Sequence, residues 1–276
     1  MTSGSSADSP LIVASDLSRC FRVRVDGNGA VDSLRRFLKP LYTVVKALDS
    51  VSFEIRRGEA VGYVGLNGAG KSTTIKLMCG VLVPTSGEVR VAGMEPHRRR
   101  IAVSRRIGLM MGQRSQLLWD LPVRESFYLL GRIYDMKPAD YRASVERLVD
   151  TLDIGSLWNT PVRTLSLGQK TRCDLALTFL HRPEAVFLDE PTIGLDVIAR
   201  ERIRDFLRSD RERGTTIFLA SHDLDDLEIV ADRVMLVHRG KLLFDGTKVG
   251  LLQAIGGNPC TLEDAVKRFY KEASLG

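Results

Sequence analysis

An α/β protein built on a mainly parallel sheet, with a block of helices inserted midway, is the fold this sequence predicts. Three observations predict it. Short apolar strands alternate with helical stretches along most of the 276 residues, a pattern that places helices on both faces of a parallel sheet. A glycine-rich loop at residues 65–72 joins one such strand to a helix. Residues 114–180 then change character and read as mostly helical.

Val51, Phe53 and Ile55 alternate with Ser52, Glu54 and Arg56, which reads as a half-buried strand. Arg57-Gly58 supplies a turn into a short apolar strand over 60–64, and after the glycine-rich loop a helix is expected over about 72–79. Pro84-Thr85-Ser86-Gly87 forms a turn ahead of a strand over 88–91. Within the helical block, Tyr141, Val145, Leu148, Val149 and Leu152 recur at helical spacing, so 140–152 is a core-facing helix. Strand signals return at 185–188, 215–220 and 234–237. Near the end, Thr261-Leu262-Glu263-Asp264 has the form of a capping box, followed by apolar Leu262, Ala265, Val266 and Phe269 on one helical face. The expected organisation is a polar, disordered tail at 1–10 and one domain at 11–254. That domain carries a helical subdomain at about 114–180, and a short helical tail follows at 255–276.

Composition narrows the function classes. Hydrophobic content of 44% and charged content of 27% suit a soluble globular chain. No apolar run approaches the roughly 18 residues that cross a bilayer, and the Ser-rich start has no apolar signal core. Cys20, Cys79, Cys173 and Cys260 are far apart with no CxxC pair, against a disulfide framework or zinc site and for a reducing compartment. The net charge of +6 permits an anionic partner. The densest basic runs, Arg98-Arg99-Arg100 and Arg105-Arg106, have no nucleic-acid reading motif beside them and read as solvated or partner-facing surface.

Gly65-Leu66-Asn67-Gly68-Ala69-Gly70-Lys71-Ser72 is a full GxxxxGKS between strand and helix. Its glycines let backbone N–H groups turn inward around phosphate oxygens, aided by the helix N-terminus. Lys71 would reach the β- and γ-phosphates, Ser72 would bind Mg²⁺, and Thr73 extends the set along the helix. Downstream, Ala185-Val186-Phe187-Leu188-Asp189-Glu190 delivers two carboxylates at the C-terminal end of a buried strand, where ligands of α/β sheets bind. Asp189 suits the Mg²⁺ shell, and Glu190 is placed to polarise an attacking water as general base.

On these residues the chain resembles the nucleotide-binding subunit of an ABC transporter, of the bacterial exporter type, over residues 11–254. The family's LSGGQ signature is matched by Leu165-Ser166-Leu167-Gly168-Gln169, with Gly168 standing 21 residues before Asp189 and Leu167 departing from the usual glycine. The resemblance implies a P-loop NTPase core with a mainly parallel sheet, an antiparallel β portion and an inserted α-helical subdomain. It implies that Ser166, Gly168, Gln169 and Asp196 contact the nucleotide held by a second chain. It also assigns Mg²⁺ sensing and coupling to Gln113, and γ-phosphate contact to His222 in Ala220-Ser221-His222-Asp223. Gly194-Leu195-Asp196 is similar to the loop that crosses the dimer. For the adenine-stacking aromatic two candidates stay open, Phe21 and Tyr42, the latter 29 residues ahead of Lys71. Between them a short inserted helix is expected over 30–39, with Val31, Leu34 and Leu38, reminiscent of polysaccharide-exporter ATPases. Leu117, Leu118 and Trp119 lie where the family exposes a groove, and they read either as fillers of a partner pocket or as subdomain core.

What the resemblance implies is a Mg-dependent ATPase that uses ATP and Mg²⁺ and pairs with a second ATPase subunit, for which a homodimer suffices. It works beside one or more separate integral membrane subunits, peripheral to the cytoplasmic face of a bacterial plasma membrane, with no nucleic-acid partner. The alternative is a non-transport ABC ATPase acting on nucleic acid or ribosomes, which shares the chemistry. Such proteins usually carry two cassettes or large inserted domains, and neither is present in this sequence. A GTPase switch is excluded because no guanine-reading NKxD motif follows the phosphate loop. The cargo is not written in this chain.

Overall fold

The computed structural model describes residues 9–24, 42–112, 114–254 and 261–275. The helix expected over 30–39 and the side chains of Gln113 and Cys260 lie outside them. Two sheets carry the architecture. The strands β1 (Ile12–Arg24), β2 (Tyr42–Ile55) and β4 (Ser86–Val91) form an antiparallel sheet in the order β2-β1-β4. The larger sheet holds β3 (Ala60–Gly65), β5 (Ile107–Met111), β6 (Ala185–Asp189), β7 (Thr216–Ser221), β8 (Arg233–His238) and β9 (Lys241–Thr247), in the order β5-β6-β7-β3-β8-β9. Its pairings are parallel except β8–β9.

Strands β3, β6 and β7 are buried along their whole length, which is why the sequence shows them as continuous apolar runs rather than alternations. Each sends its side chains alternately into two cores. Val186, Leu188, Ile217 and Leu219 join the core that the later helices complete. Ala185, Phe187, Phe218 and Ala220 join the core shared with the antiparallel sheet. The helices are α1 (Lys71–Met78), α2 (Arg100–Ser104), α3 (Val123–Ile133), α4 (Pro138–Thr151), α5 (Leu167–Phe179), α6 (Val197–Glu212), α7 (Leu224–Val230), α8 (Lys248–Ala254) and α9 (Leu262–Leu275). Between β5 and β6 the described residues hold only helices and turns, as expected for the inserted block.

Two local expectations need correction. β2 starts at Tyr42, well before Val51, because its first residues pair with β1 while staying exposed. Pairing without burial leaves no apolar alternation to read. At the start of α9, Thr261 accepts the Asp264 N–H at 3.2 Å and gives its own hydroxyl to the Asp264 carboxylate at 3.0 Å. That is a one-sided cap rather than the reciprocal box.

The helical block is tied to the sheet at His181, just beyond α5. Its ring stacks on Tyr134 at 3.8 Å and nearly parallel. Its Nε2 lies 2.9 Å from the Ile107 carbonyl oxygen, so Nε2 carries the proton, while the buried Nδ1 faces no acceptor among the described residues. Protonating Nδ1 would bury a cation beside nothing that could accept its bond, and burial pushes the imidazole pKa down from 6.5 to about 4. As pH falls from 6.5 to 4, the unfolded chain therefore takes up a proton that the folded chain refuses. We expect His181 to remove stability across this window, by about 3 kcal/mol at most. Urea midpoints of wild type and His181→Asn at several pH values check this. The wild type should fall more steeply on acidification, and parallel slopes would refute it.

Candidate active site

The register of the central strands creates the site. Val64 of β3 pairs with Ser221 of β7, Ala220 of β7 with Asp189 of β6, and Asp189 with Met111 of β5. Four strands thus end level, and the segments after them open onto one edge of the sheet. There they line a cavity of about 600 Å³ with Leu66, Asn67, Gly68, Gly70, Lys71, Ser72 and Thr73 on one side, and Gly112, Asp189, Glu190 and His222 opposite.

The loop from Gly65 to Lys71 is fixed by close backbone approach. Gly70 has φ +113°, and a Cβ there would sit 2.5 Å from the Ala47 carbonyl oxygen. Gly68 has φ +80° but open space around it. Lys71 opens α1 and folds back so that its buried Nζ donates to the Gly65 carbonyl at 2.6 Å and stands 3.6 Å from Glu190 Oε1.

Glu190 occupies the left-handed region at φ +55°. Its N–H bonds the Ala220 carbonyl at 2.8 Å, and its Oε2 lies 2.7 Å from His222 Nδ1 and 3.3 Å from the Ser221 hydroxyl. A strained non-glycine residue held by the neighbouring strand is a recurrent feature of functional sites. Beneath it, the buried Asp226 of α7 takes the Thr192 hydroxyl and, at 2.6 Å, the Arg204 guanidinium. Burial pushes the Asp226 carboxyl up, against the lowering effect of those two bonds. Arg200 binds Asp223, the cap of α7, at 2.7 Å.

For a divalent cation the donor set fits. Ser72 and Asp189 both line the cavity, and no described residue donates to the Asp189 carboxylate although it is largely buried. A hydroxyl and a free carboxylate beside a phosphate loop are the hard oxygen ligands Mg²⁺ takes, the rest coming from water and substrate phosphate.

The other expected residues divide. Ser166, Gly168, Gln169 and Asp196 do not line this cavity. Ser166 caps α5 in a reciprocal capping box with Gln169, and Asp196 caps α6 through the Ala199 N–H at 2.8 Å. These two caps lie together, Gly168 facing Ala199, Leu195 and Asp196. Phe21 pairs with Val45 on the β1–β2 ladder and Tyr42 with Arg24. Direct partners share a face and successive residues alternate, so Phe21 and Val45 share one face, but the register shifts at the unpaired Ala47, and neither Phe21 nor Tyr42 lines the cavity. Tyr42 falls on the opposite face. Leu117 is buried in the helical core, as the core reading of that stretch has it, while Trp119 is exposed under the Lys170 ammonium. Ala47, Met111, Arg114 and Ile193 also line the cavity and were missed by sequence reasoning. Only Arg114 carried a signal, a cation following Gln113 beside a phosphate loop.

Comparison with known proteins agrees with this geometry. Residues 48–193, more than half of the chain, match the family described as ABC transporter. The probable multidrug ABC transporter ATP-binding protein YbhF of Escherichia coli is 37% identical over 201 residues, 73% of this chain but only 34% of its own length. The chain thus spans about a third of that relative. The daunorubicin resistance ATP-binding protein DrrA3 of Streptomyces coeruleorubidus is 36% identical, over 77% of this chain and 67% of its own. The Nod factor export ATP-binding protein I of Paraburkholderia xenovorans is 34% identical, over 86% and 81%. Among solved structures, an ATP-binding subunit of an ABC transporter superposes with a TM-score of 0.79 at 25% identity, covering 94% of this chain and 99% of its own. The chain therefore belongs to the ABC transporter family, whose ATP-binding domain it carries.

Proposed function

We propose that this chain hydrolyses ATP as the nucleotide-binding subunit of an exporter whose membrane-spanning parts are separate chains. The observation that carries the reading is one cavity in which the phosphate loop, Asp189, Glu190 and His222 meet. In this reading residues 11–254 form the ATPase domain, with the helical subdomain at about 114–180 and a closing tail at 255–276. The loop N–H groups and Lys71 bind the β- and γ-phosphates. Ser72, Asp189 and Gln113 would hold Mg²⁺, which when bound neutralises phosphate charge. Glu190 accepts the proton of the attacking water, and His222, already bonded to it, orients that carboxylate and contacts the γ-phosphate. Phe21 or Tyr42 supplies the aromatic that stacks on adenine.

The site is completed by a second copy. Ser166, Gly168, Gln169 and Asp196 lie outside their own chain's cavity and would reach the nucleotide of the partner. Leu66, Leu167, Ile193, Val197 and Ile198 are large apolar side chains left at least 46% exposed on the loops and caps around this region, a surface suited to being covered. A second exposed apolar set, Trp119, Tyr128, Leu129 and Ile133, offers anchors to a membrane subunit. No described helix is long and apolar enough to cross a membrane. Export is supported by relatives named for multidrug transport, daunorubicin resistance and Nod factor export.

Two outcomes test the site. Gly68→Ala should cost about 1 kcal/mol through its φ alone. Gly70→Ala should cost clearly more and weaken ATP binding, because it adds the Ala47 clash. Chemical denaturation and binding of a fluorescent ATP analogue measure both effects, and equal costs would overturn this account of the loop. Glu190→Gln should bind ATP, stall as a closed dimer and lose turnover by roughly 100-fold or more, the contribution of a general base. Rapid turnover by this variant would sink the mechanism. Purified from its host in mild detergent with Mg-ATP, the same variant should bring down a polytopic membrane protein in equal amount. Recovery of ribosomes or nucleic acid instead would keep the ATP chemistry and overturn the transport function.

A further inference from the structure

One buried carboxylate is used by nothing in the chemistry above. Asp174 lies on α5, two turns after the signature, and is 7% exposed. No arginine or lysine forms an ion pair with it among the described residues. Its Oδ1 accepts the Gln116 backbone N–H at 2.9 Å, and the Ser115 side chain and Leu117 N–H, themselves bonded at 3.1 Å, face it closely enough to pull its pKa down. Burial pushes the carboxyl up against these donors. A carboxylate taken out of water this far is tolerated because donors replace the lost hydration. All of those donors come from one short segment, the turn that follows Gln113.

The contacts of α5 with that segment repeat at helical spacing. Lys170, Asp174 and Thr178 stand at i, i+4 and i+8 and so form one stripe. Lys170 Nζ sits 4.2 Å over the Trp119 ring. Asp174 holds the backbone of Gln116. The Thr178 hydroxyl is 3.4 Å from Gln116 Nε2, which also donates to the Leu109 carbonyl of β5 at 2.8 Å. At the far end of the stripe β5 and α5 are in contact without room to slide, since a Cβ on Gly108 would sit 2.6 Å from the Thr178 carbonyl oxygen. The segment after β5 is thus clamped along α5 from the end of the sheet to within a turn of the signature. Met111, Gly112 and Arg114, on the same segment, line the phosphate cavity, whereas Ser166 and Gly168 at the head of α5 face away from it.

We propose that Asp174 is a positioning residue that makes the segment after β5 and the signature helix a single moving part. Filling the phosphate cavity of one protomer then sets the pose of the Ser166 and Gly168 contact which that protomer presents to the other. Asp174 touches neither nucleotide nor water in this scheme. It acts through the backbone of Gln116. The proposal rests on the two-chain site described above.

The test uses the full chain as wild type, Asp174→Asn and Asp174→Leu. Melting temperature and the affinity of the monomer for a fluorescent ATP analogue are measured for each. The third readout, in the Glu190→Gln background, is the protein concentration at which ATP drives half-dimerisation by light scattering. Asp174→Leu should keep ATP affinity within about twofold and shift the dimerisation midpoint upward by roughly tenfold, the effect of orphaning buried donors. Asp174→Asn, which keeps one acceptor oxygen, should fall between. An unchanged midpoint would overturn the proposal. So would a loss of ATP affinity in step with dimerisation and melting temperature, since that describes a residue needed only for the fold. If Asp174→Leu does not fold, Asp174→Asn alone decides by the same split. Should Glu190→Gln with Asp174 intact fail to dimerise in ATP, the two-chain site itself falls. Hydrogen exchange of the monomer then decides the coupling. ATP should slow residues 114–119 and 166–178 together in wild type but only 114–119 in Asp174→Asn, and a slowing of both in the variant, or of 166–178 in neither, overturns it.

Discussion

The edge of the large sheet is organised around one buried ammonium. Lys71 Nζ has left water almost entirely, and what replaces its hydration is the Gly65 carbonyl at 2.6 Å and the Glu190 carboxylate at 3.6 Å. An unpartnered ammonium at that depth would cost several kcal/mol, so the end of β3, the first turn of α1 and the residue after β6 cannot part company separately. Glu190 reaches this position only by adopting φ +55°, a conformation worth about 1–3 kcal/mol of strain in a residue that is not glycine. The Ala220 carbonyl and the Ser221 and His222 side chains hold it there. Lys71 and Glu190 thus offset each other's charge across the edge of the sheet.

How much of this was legible follows from what each feature leaves in a sequence. The glycine spacing of the phosphate loop and the apolar run into Asp189 and Glu190 are local, since loop geometry and strand burial each demand particular residue types in order. The capping box of Ser166 and Gln169 is local too. β2 was read too short because residues near Tyr42 gain hydrogen bonds without burial. The conformation of Glu190 left no trace, as glutamate there is set by partners on β7. The Thr192, Asp226 and Arg204 cluster joins residues 34 apart in the chain, and no spacing rule reaches that far. Leu117 and Trp119 show a different limit. Both are large and apolar, but the turn buries one and leaves the other exposed under Lys170.

Two buried carboxylates serve as struts beneath the site, and they are satisfied differently. Asp226 is met by a hydroxyl and a guanidinium, and so it locks α7, which follows His222, to α6 and the loop of Thr192. Asp174 is met by neutral backbone and hydroxyl donors, and it locks α5 to the segment after β5. The first strut carries a charge pair whose removal on one side leaves an uncompensated ion. The second carries a carboxylate whose removal leaves unpaired neutral donors rather than a bare charge, a smaller loss. Together they tie two of the cavity-lining segments, those after β5 and β6, to the helices packed beside them.

Leu167 shows why a departure from the usual signature glycine is compatible with this architecture. It is the first residue of α5, 55% exposed, and its Cδ2 lies 3.0 Å from where a Cβ on Gly194 would stand. Gly194, at φ +73°, has no side chain, and the leucine occupies the space over it. The larger residue at one position is matched by the missing one at the other. The helix N-terminus loses no donor in the exchange. A helix start has four N–H groups without an intrahelical partner, and the capping box satisfies those of Ser166 and Gln169, which leaves those of Leu167 and Gly168. An anion approaching α5 meets these backbone donors and the positive end of the helix dipole, and a side chain at 167 alters neither.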